Sequence, residues 1–436
     1  MILARLAFAL RRDGPHWRIA RGMLLVGGFV LVGKLAGAGR EMIIAWRYGV
    51  SPTVDAYVLV MTIVMLLPTL WASVSMSVLV PLVRRLERER RGAFDAELTG
   101  AVLLAAGVVT LLALWLLPPA LELLPGFAGE IDRHLVRGLA PLAGGGLVVG
   151  LLAAQLLANE QHGNTLLEGV PALTVMLALL AWPGGPTVDP LIYGTLFGVV
   201  LQIAGLWYLL RRSGHAVLPR LAFDSPAWNG LRVALGLMVV GKLVTLFVAP
   251  IDQLIAGSLG EGSIAVLNYA YKLLALVIGL GGTAIGRAIL PVLSRSRDKD
   301  AESLALARRW SALLFGVGLV ACVATILLAE QIVALLFERG AFTAENTREV
   351  ARTVRFGAVQ LPFFFASIVL VQLFASRGRY TVLLTTSVMT LVVKVVCSLA
   401  LAGPLGVGGI ALGTGIMYAT NCAYLVYASR TLEPGR

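Results

Sequence analysis

Charged side chains interrupt a long apolar stretch near the start of the sequence. The segment "LVGKLAGAGRE", residues 31–41, carries Lys34, Arg40 and Glu41 within an apolar run long enough to cross a membrane. A charge at the centre of a bilayer costs from about 3 to more than about 10 kcal/mol, so such residues usually line a wet pathway or form a paired site. The pattern therefore predicts that these charges either line a water-filled pathway or are paired with one another.

The second half of the chain repeats this arrangement. The tetrapeptide "VGKL" occurs at 32–35 and again at 240–243, and "VPLVRR" at 80–85 is matched by "LPVLSR" at 290–295. Both pairs are about 210 residues apart, an offset that holds six apolar stretches and so preserves orientation in a membrane. The repeat predicts two parallel halves related by an axis along the membrane normal.

Cations from both halves are expected to face one cavity. Lys34 and Lys242 occupy matching places on the first span of each half, and Lys272 lies on the span after Lys242. A net-positive cavity would attract an anion through its charge. We assign four residues to this site: Lys34, Arg40, Lys242 and Lys272.

Carboxylates on the same elements provide an alternative. Glu41, Asp55 and Asp252 would neutralise the cations if they pointed at them, and a single lysine can also extend to the membrane surface. Glu41 and Asp55 lie closer to the ends of their helices than the lysines do. We therefore favour the net-positive cavity, and we assign Glu41 and Asp55 to gating or ion coupling.

Three glycines lie beside the first two cations, at 33, 37 and 39. Glycine weakens a helix interior by about 1 kcal/mol relative to alanine, and irregular helices at membrane depth are tolerated where they line a wet space. The spacing of Gly33 and Gly37 equally suits close packing against a neighbouring helix. The adjacent cations favour the cavity.

Composition assigns the chain to the polytopic membrane proteins. Of its 436 residues, 58% are hydrophobic and 14% are charged, whereas soluble domains carry about 25% charged residues. The formal charge of +12 is explained by Lys and Arg on cytoplasmic loops and by anionic lipid headgroups, so we expect membrane lipids and no nucleic acid as partners. The three cysteines lie in apolar runs and show neither disulfide nor metal spacing.

About twelve apolar stretches are long enough to span a bilayer. The predicted fold is an all-α integral membrane protein with two pseudo-symmetric six-helix lobes around a central cavity. Its parts are an N-terminal arm at 1–21, an N-terminal lobe at 22–212, a linker at 213–228 and a C-terminal lobe at 229–430. The predicted spans are 22–46, 55–83, 98–118, 135–158, 165–182, 190–210, 230–257, 264–293, 310–329, 350–375, 380–402 and 405–429.

Residue types needed for catalysis are scattered. The four histidines fall in the N-terminal arm or in predicted connections, and the sequence has no GxxxxGK[ST] phosphate loop. We therefore expect a protein that is not an enzyme, with no cofactor and no bound metal. Substrate gradients, ion coupling, membrane potential or a partner protein would have to drive any transport.

The sequence resembles the MurJ (MviN) lipid II flippases of the multidrug/oligosaccharidyl-lipid/polysaccharide exporter superfamily. The stretch "GKLAGAGREMIIAWRYGVSPTVDAY" is similar to the first-helix signature of that family, and "LLFERGAFTAENT" at 335–347 resembles its external-loop motif. A third stretch, "NYAYKLLALVIGLGGTAIGRAILPVLSRS", resembles its eighth helix. The likeness runs from about residue 25 to 428, nearly the whole chain.

The resemblance implies a two-lobed flippase that moves an undecaprenyl-pyrophosphate-linked saccharide across the bacterial cytoplasmic membrane. The functional cavity cations of the family fall on Lys34, Arg40 and Lys272, and its first-loop acid falls on Asp55. Lysine stands at two positions where relatives have arginine, and a further functional arginine aligns with Pro68. Relatives typically have fourteen spans, so the additional helix pair is expected to be missing.

Two other functions remain open at this stage. A drug or cation antiporter of the same superfamily would need buried carboxylates rather than cations. A non-transporting scaffold of wall synthesis would share the fold, and proteins of cell-wall or polysaccharide synthesis are possible partners in either case.

The distribution of Lys and Arg predicts that both termini are cytoplasmic. The segment "RRLERERRG" should then face the cytoplasm and "FERGAFTAENT" the outside. A membrane-impermeant thiol reagent applied from outside should label a cysteine placed at Thr343 and not one placed at Arg88. The reverse pattern would invert the topology.

Overall fold

The fold of the protein is entirely helical within the described residues. A computed structural model describes residues 15–123, 132–159, 161, 163–214, 218–232, 236, 242, 246–295 and 300–430. Besides a π-helical turn at Ser75–Leu79, its helices are α1 Pro15–Tyr48, α2 Pro52–Val64, α3 Leu66–Val74, α4 Val80–Arg85, α5 Arg88–Glu122, α6 Arg133–Leu139, α7 Pro141–Ala158, α8 Asn164–Leu167, α9 Val170–Ala181, α10 Asp189–Arg212, α11 Val248–Gly257, α12 Ser263–Arg295, α13 Asp300–Phe337, α14 Ala344–Ala358, α15 Gln360–Ser376, α16 Tyr380–Leu405 and α17 Val407–Arg430.

The predicted class of all-α membrane protein is confirmed. Within the ranges that the structure describes, nine helices are long and apolar enough to cross a membrane. Most predicted spans coincide with one helix or with two adjoining helices. The predicted span 230–257 lies partly outside the described residues.

The chain forms two compact units. The first comprises residues 1–44, 64–119 and 133–236, and the second comprises 45–63, 120–132 and 237–436. The segment 45–63 therefore packs with helices of the C-terminal half. The lobes at 22–212 and 229–430 stay a prediction.

Small residues of α7 bring its neighbours close in the first unit. A Cβ on Gly146 would lie 2.6 Å from the Cβ of Pro68, and a Cβ on Gly150 would lie 2.8 Å from the Trp71 ring. The indole Nε1 of Trp71 donates to the Leu147 carbonyl at 3.0 Å. Close approach of this kind is how membrane helices gain packing energy where lipid is as apolar as the side chains.

The core of the second unit is built around Tyr269 of α12. Its ring packs on Phe337 and Phe342, and its hydroxyl donates to the Gly49 carbonyl at 3.0 Å. Gly49 has φ +60°, and a Cβ there would lie 2.4 Å from the Ala341 carbonyl oxygen. A side chain is thus excluded both by conformation and by space. The tight loop between α1 and α2 therefore packs with the segment "ERGAF" in one cluster.

A buried glutamate fastens the linker to the first unit. Glu97 of α5 is 2% exposed and accepts hydrogen bonds from the Trp228 indole at 2.8 Å and from the Ser225 N–H at 3.2 Å. The Arg220 N–H donates to the Ala96 carbonyl at 2.9 Å. The part of the linker from 220 to 228 is therefore held along α5.

Glu97→Ala should loosen this linker, because it leaves two partly buried donors without their acceptor. A loss of about 1.4 kcal/mol in local stability would speed tryptic cleavage after Arg220 about tenfold. The matched control is Glu87→Ala, which removes a carboxylate that is 81% exposed and pairs only with Arg90 among the described contacts. Equal cleavage rates for both variants would show that Glu97 does not hold the linker.

Candidate functional site

The predicted cation-bearing helix, α1, packs closely at one of its glycines. A Cβ on Gly169 would lie 3.2 Å from the Cα of Gly33, so the two backbones nearly touch. A Cβ on Gly37 would meet nothing within 4 Å. Gly33 is thus a packing residue, whereas Gly37 faces open space on the same helix.

The charges on α1 differ in their surroundings. The Lys34 side chain is exposed. Arg40 forms an ion pair with Glu41, and the exposed fractions of the two side chains are 22% and 7%. The positive charge of Arg40 therefore has a carboxylate beside it, as the alternative in the sequence analysis allowed. Glu41 thus holds one side of a guanidinium group that has five N–H donors.

The remaining two candidate cations belong to the second unit. Lys242 and Lys272 are both exposed, and Lys272 lies in the third turn of α12. Because Lys34 and Arg40 belong to the first unit, the cavity shared by all four stays a prediction.

Asp55 caps the N-terminus of α12. Its carboxylate accepts hydrogen bonds from the N–H groups of Gly262 and Ala265, both at 2.6 Å. The first N–H groups of a helix have no partner within the helix, and the helix dipole favours an anion there. Asp55 is 7% exposed, so these contacts are shielded from water. The contact that the structure shows for Asp55 is therefore with a helix terminus. Its role in gating stays a prediction.

One buried cation escaped the sequence analysis. Lys394 lies in α16 and is fully buried, and its ammonium is 2.8 Å from Asp252 Oδ1. The signal was the same as for Lys34, a lysine in the middle of a predicted span, here 380–402. Asp252 was considered as a partner for the cavity cations, but the carboxylate pairs with Lys394.

The described residues contain no group of three or more His, Cys, Asp or Glu side chains placed to hold a metal. The candidate site consists of cations, of which Arg40 has a carboxylate beside it. Such a set binds and orients anions by charge-assisted hydrogen bonds.

Comparison with known proteins identifies a family whose model matches most of this chain. The family model described as lipid II flippase MurJ matches residues 44–432. A probable lipid II flippase MurJ of Thermotoga maritima is 26% identical over 90% of this chain and 81% of its own length. A protein with the same description from Rhizobium tropici is 28% identical over 79% of this chain and 68% of its own length.

Solved structures show the same fold. A lipid II flippase MurJ in an inward closed conformation has a TM-score of 0.82 at 18% identity, covering 93% of this chain and 87% of its own. An inward-facing multidrug resistance MATE family transporter of the MOP superfamily has a TM-score of 0.72 at 15% identity, covering 92% and 94%. At these identities the likeness concerns the fold alone.

Asp55→Asn should destabilise the protein, because an amide offers one acceptor and turns a donor toward an N–H group. The expected loss is about 1–3 kcal/mol, seen as a lower midpoint of thermal unfolding in detergent. Asp224→Asn is the matched control, because the Asp224 side chain is 79% exposed. Equal midpoints for the two variants would contradict the assignment of Asp55 to the helix terminus.

Proposed function

Since the chain belongs to the lipid II flippase MurJ family, we propose that it moves a polyprenyl-pyrophosphate-linked saccharide, lipid II or a close relative, across the bacterial cytoplasmic membrane. The observation that carries this proposal is the family match over residues 44–432. The protein would act by alternating access, with both termini in the cytoplasm. Enzymes of cell-wall or polysaccharide synthesis would supply and consume the lipid-linked saccharide.

The cations supply the chemistry that such a substrate needs. A pyrophosphate bridge carries about two negative charges, and ammonium and guanidinium groups bind it through charge-assisted hydrogen bonds. We assign this role to Lys34, Arg40, Lys242 and Lys272. Two of them, Lys34 and Arg40, precede the part of the chain that the family model matches, so their role rests on their own chemistry and on the resemblance of their segment.

Glu41 would tune Arg40 rather than bind substrate. While the cavity holds no substrate, the ion pair compensates the arginine and lowers the cost of keeping it at membrane depth. An arriving pyrophosphate would bind N–H groups of the guanidinium, which can serve two acceptors at once. A net-positive site could in this way be kept stable without its ligand.

Lysine in place of arginine changes how the headgroup is held. An ammonium keeps the charge but has no planar fork for two parallel hydrogen bonds to phosphate. Lys34 and Lys272 would therefore attract the pyrophosphate without fixing its orientation, and Arg40 would supply the geometric part of the recognition.

Loss of charge at the site should stop transport without preventing folding. Arg40→Gln and Lys272→Gln are expected to reduce flipping of lipid II in proteoliposomes at least tenfold, a loss of about 1.4 kcal/mol or more in charged hydrogen bonds. Transport is followed as access of the headgroup to a membrane-impermeant reagent. Lys272→Arg and Lys34→Arg should keep activity, because they keep the positive charge and add a planar group that can form two hydrogen bonds to phosphate.

Arg90→Gln provides the matched control, since its side chain is 71% exposed and pairs with Glu87. This variant should transport as the unmodified protein does. Normal transport by the two glutamine variants at equal incorporation would refute the cation mechanism. Loss of transport in Arg90→Gln as well would show that the assay reports overall charge rather than the site.

A further inference from the structure

A lysine lies in the centre of a membrane-spanning helix of the second unit with no access to solvent. Lys394 is 0% exposed and belongs to α16, one of the helices long and apolar enough to cross a membrane. Lysine is almost never fully buried unless it is paired, and an ionisable residue at membrane depth is a functional candidate. The cation mechanism proposed above does not use it.

The ammonium of Lys394 is surrounded by oxygen atoms at one distance. Nζ lies 2.8 Å from the Asp252 carboxylate, 2.8 Å from the Ile410 carbonyl oxygen and 2.8 Å from the Thr414 hydroxyl. An ammonium has three N–H donors and no acceptor. Two of these donors thus hydrogen-bond to the Ile410 carbonyl and the Thr414 hydroxyl, and the charge is paired with the Asp252 carboxylate.

A tyrosine hydroxyl completes the arrangement. Tyr271 donates to the second carboxylate oxygen of Asp252 at 2.8 Å and lies 2.9 Å from the Thr414 hydroxyl. The single proton of Tyr271 goes to Asp252, so in the contact between the two hydroxyls Thr414 is the donor. The Thr414 hydroxyl accepts from Lys394 and also lies 3.4 Å from the Ile410 carbonyl oxygen, to which it can donate instead.

These oxygens come from several helices. Asp252 belongs to α11, Tyr271 to α12, and Ile410 and Thr414 to α17, while the ammonium comes from α16. Carboxylate, carbonyl and hydroxyl oxygens are the ligands preferred by hard cations. A single carboxylate balances a single positive charge, so the set suits a monovalent cation rather than a divalent one.

We propose that the second unit contains a monovalent-cation site whose resident cation is the ammonium of Lys394, carried by the chain itself. The side chain acts as a tether that keeps the site occupied whatever ions surround the protein. Free small cations would not bind there until the tether is removed. This inference does not depend on the proposed flippase activity.

A simple structural ion pair is the competing explanation. In such a pair the carboxylate is held in place only by the lysine, so no other cation can replace the lysine. A cation site instead keeps its oxygens in place through contacts that do not involve the lysine. Two contacts meet this condition: Tyr271 holds Asp252, and Tyr271 also holds Thr414.

Two substitutions of Lys394 distinguish these explanations, because both remove the charge but only one of them leaves space for a small cation. Lys394→Ala removes the ammonium and leaves space for a small cation beside Asp252. Lys394→Met removes the same charge but fills the space with an apolar chain of similar length. The unfolding midpoint of each purified full-length variant is measured in chloride salts of sodium, potassium and methylammonium at equal ionic strength, with choline, which is too bulky, as the reference.

The expected result is selective rescue. Lys394→Ala should melt at least about 3 °C higher in one or more of the small cations than in choline, because an ion that binds only the folded state stabilises it. Lys394→Met, the double variant Asp252→Asn/Lys394→Ala and the unmodified protein should show no such difference. Methylammonium is the most direct probe, since it reproduces the end of the missing side chain.

Several outcomes would overturn the proposal. Equal midpoints of Lys394→Ala in all four salts would show that the oxygens form no cation site. Failure of Lys394→Ala to fold in any of the salts would show the same, because a replacing ion should restore the contacts. Stabilisation of Lys394→Met or of the unmodified protein by the same ions would place the effect elsewhere in the molecule.

Discussion

The cost of taking a charge out of water is the constraint on which the described structure depends. In a protein that is so apolar, each charged group at membrane depth requires a partner or a wet surface. The described residues provide two kinds of partner. Arg40 and Lys394 each have a carboxylate beside them, whereas Asp55 uses the N–H groups of a helix terminus. The helices are arranged so that these partners meet.

The membrane class, the all-helical fold and the family follow from the sequence because they depend on properties spread over many residues. Apolar runs of spanning length identify the helices one by one, and errors at single positions cancel. The pairing of individual charges depends instead on which helices lie side by side. Asp252 could be assigned to any of several cations from sequence, and only the packing of α11 against α16 identifies Lys394 as its partner.

The glycines of α1 show the same limit of what sequence can predict. Gly33 and Gly37 have one sequence signature, and either cavity or packing explains it. The neighbour that decides between them, Gly169, is more than a hundred residues away in the chain. Asp55 is a further example, because a carboxylate near a helix end suggests its own helix, yet the helix that it caps begins after residue 261. Local sequence patterns identify the glycines and the charged residues, but the fold determines which residues they contact.

The contact between Pro68 and Gly146 bears on how this family can diverge. The proline ring occupies the space that any side chain at 146 would need. A longer side chain at position 68 would require the helix that carries residue 146 to move away. The two positions are therefore expected to change together, so residue 146 should covary with residue 68 across the family. If Pro68 stands where relatives have arginine, as the resemblance of the sequence implies, this chain has exchanged a charge for close helix packing.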